Sequence, residues 1–128
     1  MKLADMTVTQ FVAATASEEP APGGGSVAAL EAALGAALTA MVCNFTTGRK
    51  KWAEFEEKAK EMEQKALVLK EQAVDIIDRD TEAFNAVSAV FAMPKNTDEE
   101  KAARKAAMQE ALKGCTKTPL EVMEVTYQ

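Results

Sequence analysis

Histidine is missing from all 128 residues. No Ser-His-Asp or Cys-His arrangement can form within one chain, nor any His-based metal site, so proton transfer falls to Asp, Glu, Lys, Cys, Tyr or a group on a ligand. Cysteine is nearly missing too: Cys43 and Cys115 are too few for a disulfide framework and lack the CxxC spacing of a zinc site. Both read as reduced thiols, and no metal is expected. Aromatics make up 5% of the chain and prolines number four, which is poor material for a sheet sandwich. A basic surplus is absent as well, because 15 Lys and Arg face 20 Asp and Glu for a net charge of -5. Nucleic acid is therefore not an expected partner. The opening MKLADMTVTQFV has polar residues where a secretory signal has a continuous apolar core, so the chain reads as cytoplasmic. The longest weakly polar run, Val27 to Phe45, is interrupted by Glu31 and dominated by glycine and alanine. It reads as a buried helix, not a membrane span.

What is present is Ala, Glu, Lys and Met, the residues of helices. With 48% hydrophobic and 27% charged residues, the chain is expected to be one all-α domain over residues 1–128, an up-and-down bundle of long helices. A short first helix is predicted from about Thr7 to Ala16, with Phe11, Val12 and Thr15 on one face and Glu18-Glu19-Pro20 ending it. The PAPGGGS stretch follows. Three consecutive glycines are not expected to hold regular structure, and Ser26 reads as the entry to the next helix. In that helix Val27, Leu30, Leu34, Leu38, Met41, Val42 and Phe45 recur at helical spacing, and Gly48 sits at its C′ position. The opposite face is almost entirely small, from Ala28 and Ala29 to Ala40, so the helix should be central and packed on more than one side. Glu31 lies on the large apolar stripe, where it pairs with a cation, reaches solvent or serves a site.

A long helix is predicted from about Lys51 to Ala92, with Glu54-Lys58, Glu56-Lys60 and Glu61-Lys65 along a solvated face. Farther on, Ala73, Ile76, Ile77, Phe84, Val87, Val90 and Phe91 form an apolar stripe, and Asp80 falls inside it. That is the one clear violation of the pattern. Asp75, Asp78 and Glu82 lie off the stripe and can pair with Arg79 at the surface. Pro94-Lys95-Asn96 breaks the helix, and Thr97 with Glu100 reads as the capping box of a fourth. Its stripe runs from Ala103 to Tyr127, with Pro119 expected to kink it or end a segment. No stop signal stands near Gln128, so further C-terminal helices are expected to be lacking.

PAPGGGS ahead of a helix is a site candidate, because glycine admits a ligand to the backbone and free N–H groups at a helix start attract anions. It lacks the GK[ST] ending of a P-loop, and no GxGxxG follows a strand. A glycine hinge between packed helices is the structural alternative.

Four blocks carry a resemblance to a known family: Pro20 to Leu30 as PAPGGGSVAAL; Met41-Val42-Cys43-Asn44 with Thr47-Gly48-Arg49; Asp78 to Phe84 as DRDTEAF; and Pro94-Lys95-Asn96-Thr97 with Glu99-Glu100-Lys101. In that order they are similar to the C-terminal domain of formiminotransferase-cyclodeaminase and its single-domain relatives. The resemblance implies an oligomeric helical enzyme, taken as a homodimer, acting on a tetrahydrofolate one-carbon adduct. Folate is then the substrate, and no cofactor is implied. Cyclodeaminase activity, which makes 5,10-methenyltetrahydrofolate and ammonia from 5-formiminotetrahydrofolate, is preferred. Methenyltetrahydrofolate cyclohydrolase is the alternative, and a non-catalytic helical assembly or folate-binding module is the reading of another class.

Within this resemblance Asp80 is the expected proton-transfer group, with its pKa raised by desolvation on an apolar stripe. A structural ion pair to Arg or Lys is its rival role. Gly23, Gly24, Gly25 and Ser26 would present backbone N–H groups and a hydroxyl to the folate. Arg49, Lys50 and Lys95 would meet its carboxylates, and Asn44 would hydrogen-bond the pterin. Glu31 stands where the family has a small residue.

Overall fold

Thr7 begins the first helix by a reciprocal cap: its side chain accepts the Gln10 N–H, and the Gln10 side chain accepts the Thr7 N–H. The computed structural model describes residues 1–128 and contains four α-helices and no strand. They are α1 (Val8–Thr15), α2 (Gly24–Thr46), α3 (Glu56–Phe91) and α4 (Asp98–Tyr127), with 3-10 turns at Leu3–Asp5 and Lys50–Phe55. The all-helical expectation holds, and the predicted boundaries fall close to the observed ones.

Two boundaries differ. α2 starts at Gly24, so two of the three glycines are helical and Ser26 lies inside the first turn instead of capping it. Residues 50–55 form a 3-10 turn broken at Trp52 (φ -116°, ψ 18°) before the long helix begins. At the other end of α2, Gly48 takes φ 75°, the left-handed geometry that favours glycine after a helix. Pro119 neither ends nor divides α4, which runs on to Tyr127. The expected Thr97–Glu100 capping box is present. Arg104 closes α3 from outside by donating to the carbonyls of Val90 (3.2 Å) and Phe91 (3.4 Å).

α2 and α3 pack as an antiparallel hairpin, and α4 returns along α3, as the Arg79–Glu121 ion pair and the Arg104 contacts show. This up-and-down order is the predicted one. The packing face of α2 is its small one: Ala29, Ala33, Ala40 and Cys43 are buried, as are Ala59, Ala66 and Ala73 of α3. Alanine faces let the two backbones approach closely. The large stripe of α2 points outward, with Leu34, Leu38, Met41, Val42 and Phe45 all exposed. By length and composition α2 could cross a bilayer, yet its alanine face lies against α3. Large side chains meet only near the glycine turn, where Leu3, Phe11, Ile76, Ile77 and Val122 surround Ala29. Asp78 helps to hold this end: its carboxylate accepts the Leu3 N–H at 2.7 Å. The surface pair expected between Asp78 and Arg79 is not formed, because Arg79 pairs with Asp75 and Glu121.

Candidate functional site at the start of α2

The N-terminus of α2 abuts Asp80 of α3. Asp80 Oδ2 accepts the Ser26 N–H at 3.1 Å and lies 3.5 Å from Ser26 Oγ. The half-buried carboxylate thus caps the helix from a neighbouring element and meets its positive end. Asp80 enters no ion pair, so the structural pairing with Arg or Lys is not its role. It stands on the apolar stripe because the N–H group it serves is there.

The glycine run is explained at one position. A Cβ on Gly25 would overlap the Asp80 carboxylate, one on Gly23 would make ordinary contacts, and one on Gly24 would meet nothing. Gly25 is therefore the residue that lets the carboxylate lie flat on the helix start. The backbone N–H groups of Gly24 and Gly25 have no partner in the chain, whereas that of Val27 is taken by the Gly23 carbonyl. Two unpaired amides beside a carboxylate make a mixed donor and acceptor surface.

Ser26 requires a correction. Its side chain is wholly buried, and Oγ donates to the Ile77 carbonyl at 2.7 Å. That hydroxyl faces α3 and is not presented to a ligand. Ser26 instead ties α2 to α3 and places the amides. Thr81 Oγ1 lies 3.3 Å from the same hydroxyl and completes the polar cluster, a neighbour that helical periodicity does not distinguish. Within the cluster every buried polar side-chain atom has a partner.

The remaining candidates do not join this cluster within one chain. Asn44 and Arg49 are exposed at the far end of α2, about 30 Å from the glycine turn at 1.5 Å per helical residue. Lys50 opens the 3-10 turn beyond them. Lys95 lies past the opposite end of α3, in a basic groove with Lys101, Arg104 and Lys105. Glu31 is exposed and forms no ion pair, so pairing with a cation of this chain is not its role. It borders a groove of about 520 Å³ between α2, α3 and the end of α4, whose lining includes Ala32, Gly35, Met62 and Leu69 but not Asp80. Asp80 itself remains partly exposed. No group of His, Cys, Asp or Glu side chains is arranged to hold a metal ion.

Comparison with known proteins gives this arrangement a family. The chain is 48% identical over 119 residues to the methenyltetrahydrofolate cyclohydrolase of Methylorubrum extorquens, a match that covers 93% of this chain and 57% of that one. It is 36% identical over 126 residues to the formimidoyltransferase-cyclodeaminase of Rattus norvegicus, covering 98% of this chain and 23% of that one. Among solved structures, the formiminotetrahydrofolate cyclodeaminase of Thermotoga maritima superposes with a TM-score of 0.79 at 27% identity, over 97% of this chain and 58% of that one. The chain thus spans little more than half the length of these two bacterial relatives. Residues 7–128 match the family model described as formiminotransferase-cyclodeaminase, and the chain belongs to that family.

Proposed function

We propose that the start of α2 and Asp80 form part of a site for a tetrahydrofolate one-carbon adduct, where the chain helps to make or break a bond at an amidine-like carbon. The observation that carries this reading is the meeting of Asp80 with the Gly25 and Ser26 backbone, in a fold shared with a cyclodeaminase. In cyclodeamination, N10 of 5-formiminotetrahydrofolate attacks the formimino carbon. The new C–N10 bond forms, N10 loses its proton, and the protonated formimino nitrogen leaves as ammonia. Asp80 takes the N10 proton or passes one to the leaving amine. The Gly24 and Gly25 amides hold an electron-rich atom of the adduct. Asn44, Arg49 and Lys95 remain proposed contacts for the outer parts of the ligand, and a second copy of the chain would have to supply them.

The second reading is the reverse sense of chemistry at that carbon. Water adds to 5,10-methenyltetrahydrofolate, the N5–C bond breaks, and 10-formyltetrahydrofolate and a proton are released. The 48% identity to a cyclohydrolase favours it. Assays of the purified chain with each adduct separate the two: ammonia release identifies the first, and loss of methenyl absorbance with no ammonia the second. Turnover of neither adduct, with no folate bound, leaves the helical assembly module standing.

A further inference from the structure

We propose that the groove between the end of α3 and the first turns of α4 is an anion site, built for a diphosphate group, free or carried on an organic body. It stands apart from the Asp80 cluster: Phe91, in its lining, comes eleven residues after Asp80 on α3, about 16 Å along the axis. The inference therefore does not rest on the folate reading.

The chain as a whole carries a net charge of -5, yet the lining of this groove of about 340 Å³ includes Lys95, Lys101, Arg104 and Lys105 and no carboxylate. Lys101, Arg104, Lys105 and Met108 follow one another at helical spacing, so one face of α4 gathers them. Lys95 comes from the elbow between the two helices. Cations here would be explained without a ligand if all of them met the carbonyls at the end of α3. Arg104 alone does so, donating from Nε to Val90 and from Nη2 to Phe91. Lys95 and Lys105 have no acidic partner, and Lys101 has only Asp98, whose side chain is 98% exposed. A pair so open to solvent yields readily to a ligand.

Arg104 separates this groove from a scatter of surface lysines. Two carbonyls fix the plane of its guanidinium, and Nη1 has no partner in the chain. A guanidinium held in this way aims its free N–H groups in one direction and loses little freedom when it binds. A single carboxylate would fill that edge and leave three ammonium groups unmatched. Two linked phosphates spread their oxygens tetrahedrally, so one can take the guanidinium edge while the other meets the lysines around it. Together they bring about three to four negative charges to the four positive ones. Phe91, 65% exposed, and Met108 set an apolar wall beside the charges, where the ring of a nucleotide can lie.

Calorimetric titration of the folded 128-residue chain with pyrophosphate, ADP and citrate tests the site. Both diphosphates should bind saturably, and citrate, of similar charge, about 10-fold more weakly or worse. Lys105→Glu alters an exposed side chain without a partner, so the fold should stand while diphosphate binding weakens by about 10-fold or more. Arg104→Lys keeps the charge and removes the fork, and should weaken binding by a similar factor; a thermal melt of the same variant reads any loss from the α3 carbonyls separately. Tighter binding of ADP, lost in Phe91→Ala, assigns the diphosphate to an organic body, and equal binding assigns it free. No saturable heat with either diphosphate, citrate bound as tightly, or binding indifferent to Lys105→Glu overturns the proposal. Lys105 has no part in the folate reading, so folate turnover by Lys105→Glu should match the parent.

Discussion

Gly25 and Asp80 form one steric unit, and neither has a reason to be where it is without the other. A methyl group at position 25 would overlap the carboxylate, so Gly25→Ala must displace Asp80 or tilt the start of α2. A stability loss of about 1–3 kcal/mol in urea unfolding is expected, together with loss of folate turnover. Gly24→Ala meets no atom and should leave stability unchanged or slightly raised, since alanine is the better helix residue. Asp80 separates along another line. Asn keeps an oxygen for the Ser26 N–H, so Asp80→Asn should cost under about 1 kcal/mol in the same experiment while turnover falls about 10²- to 10⁴-fold through loss of the acid-base group. Asp80→Ala leaves that N–H without its partner and should cost about 1–3 kcal/mol. Equal losses of stability and turnover for Asn and Ala would mean that Asp80 only holds the helix. The sequence marked Asp80 by its break in the apolar pattern, but could not show that Gly25 is its counterpart, because that contact joins residues more than fifty positions apart. It misassigned the Ser26 hydroxyl for the same reason: the Ile77 carbonyl that takes it belongs to another helix.

At the scale of elements, local chemistry was readable where it was self-contained. The Thr97–Glu100 box, the C′ glycine at 48 and the break at Pro94 each work through neighbours within four residues, and all three stand where the pattern placed them. Thr97→Ala should therefore destabilise the chain by about 1 kcal/mol in a thermal or urea melt, and no change would mean that the start of α4 is held by packing alone. Pattern reading was weaker where the tertiary partner decides. Pro119 does not end a segment of α4: the helix continues through Thr118 and Val122, which are buried in the bundle, and packing outweighs the lost backbone hydrogen bond. The three glycines were expected to stay irregular, yet a carboxylate from α3 caps the helix they begin.

For the whole molecule, hydrophobic periodicity identified the helices, but the expectation of an α2 packed on more than one side is not met within this chain, where only its small face is covered. A large stripe usually marks the core, but here the alanine face is buried and the large stripe is exposed. Two helices separated by alanines approach more closely than leucines would allow, and the larger residues are left for whatever lies outside the hairpin. The division also accounts for the scattered site candidates: those at the glycine turn converge, while Asn44 and Arg49 stand at the other end of a helix of 23 residues. The central claim is that the Asp80 cluster belongs to a folate site. Its most direct test is a calorimetric titration of the 128-residue chain, verified as folded, with a reduced folate. The account predicts saturable binding that Gly25→Ala abolishes and Gly24→Ala preserves; no saturable heat, or binding indifferent to Gly25→Ala, would contradict it.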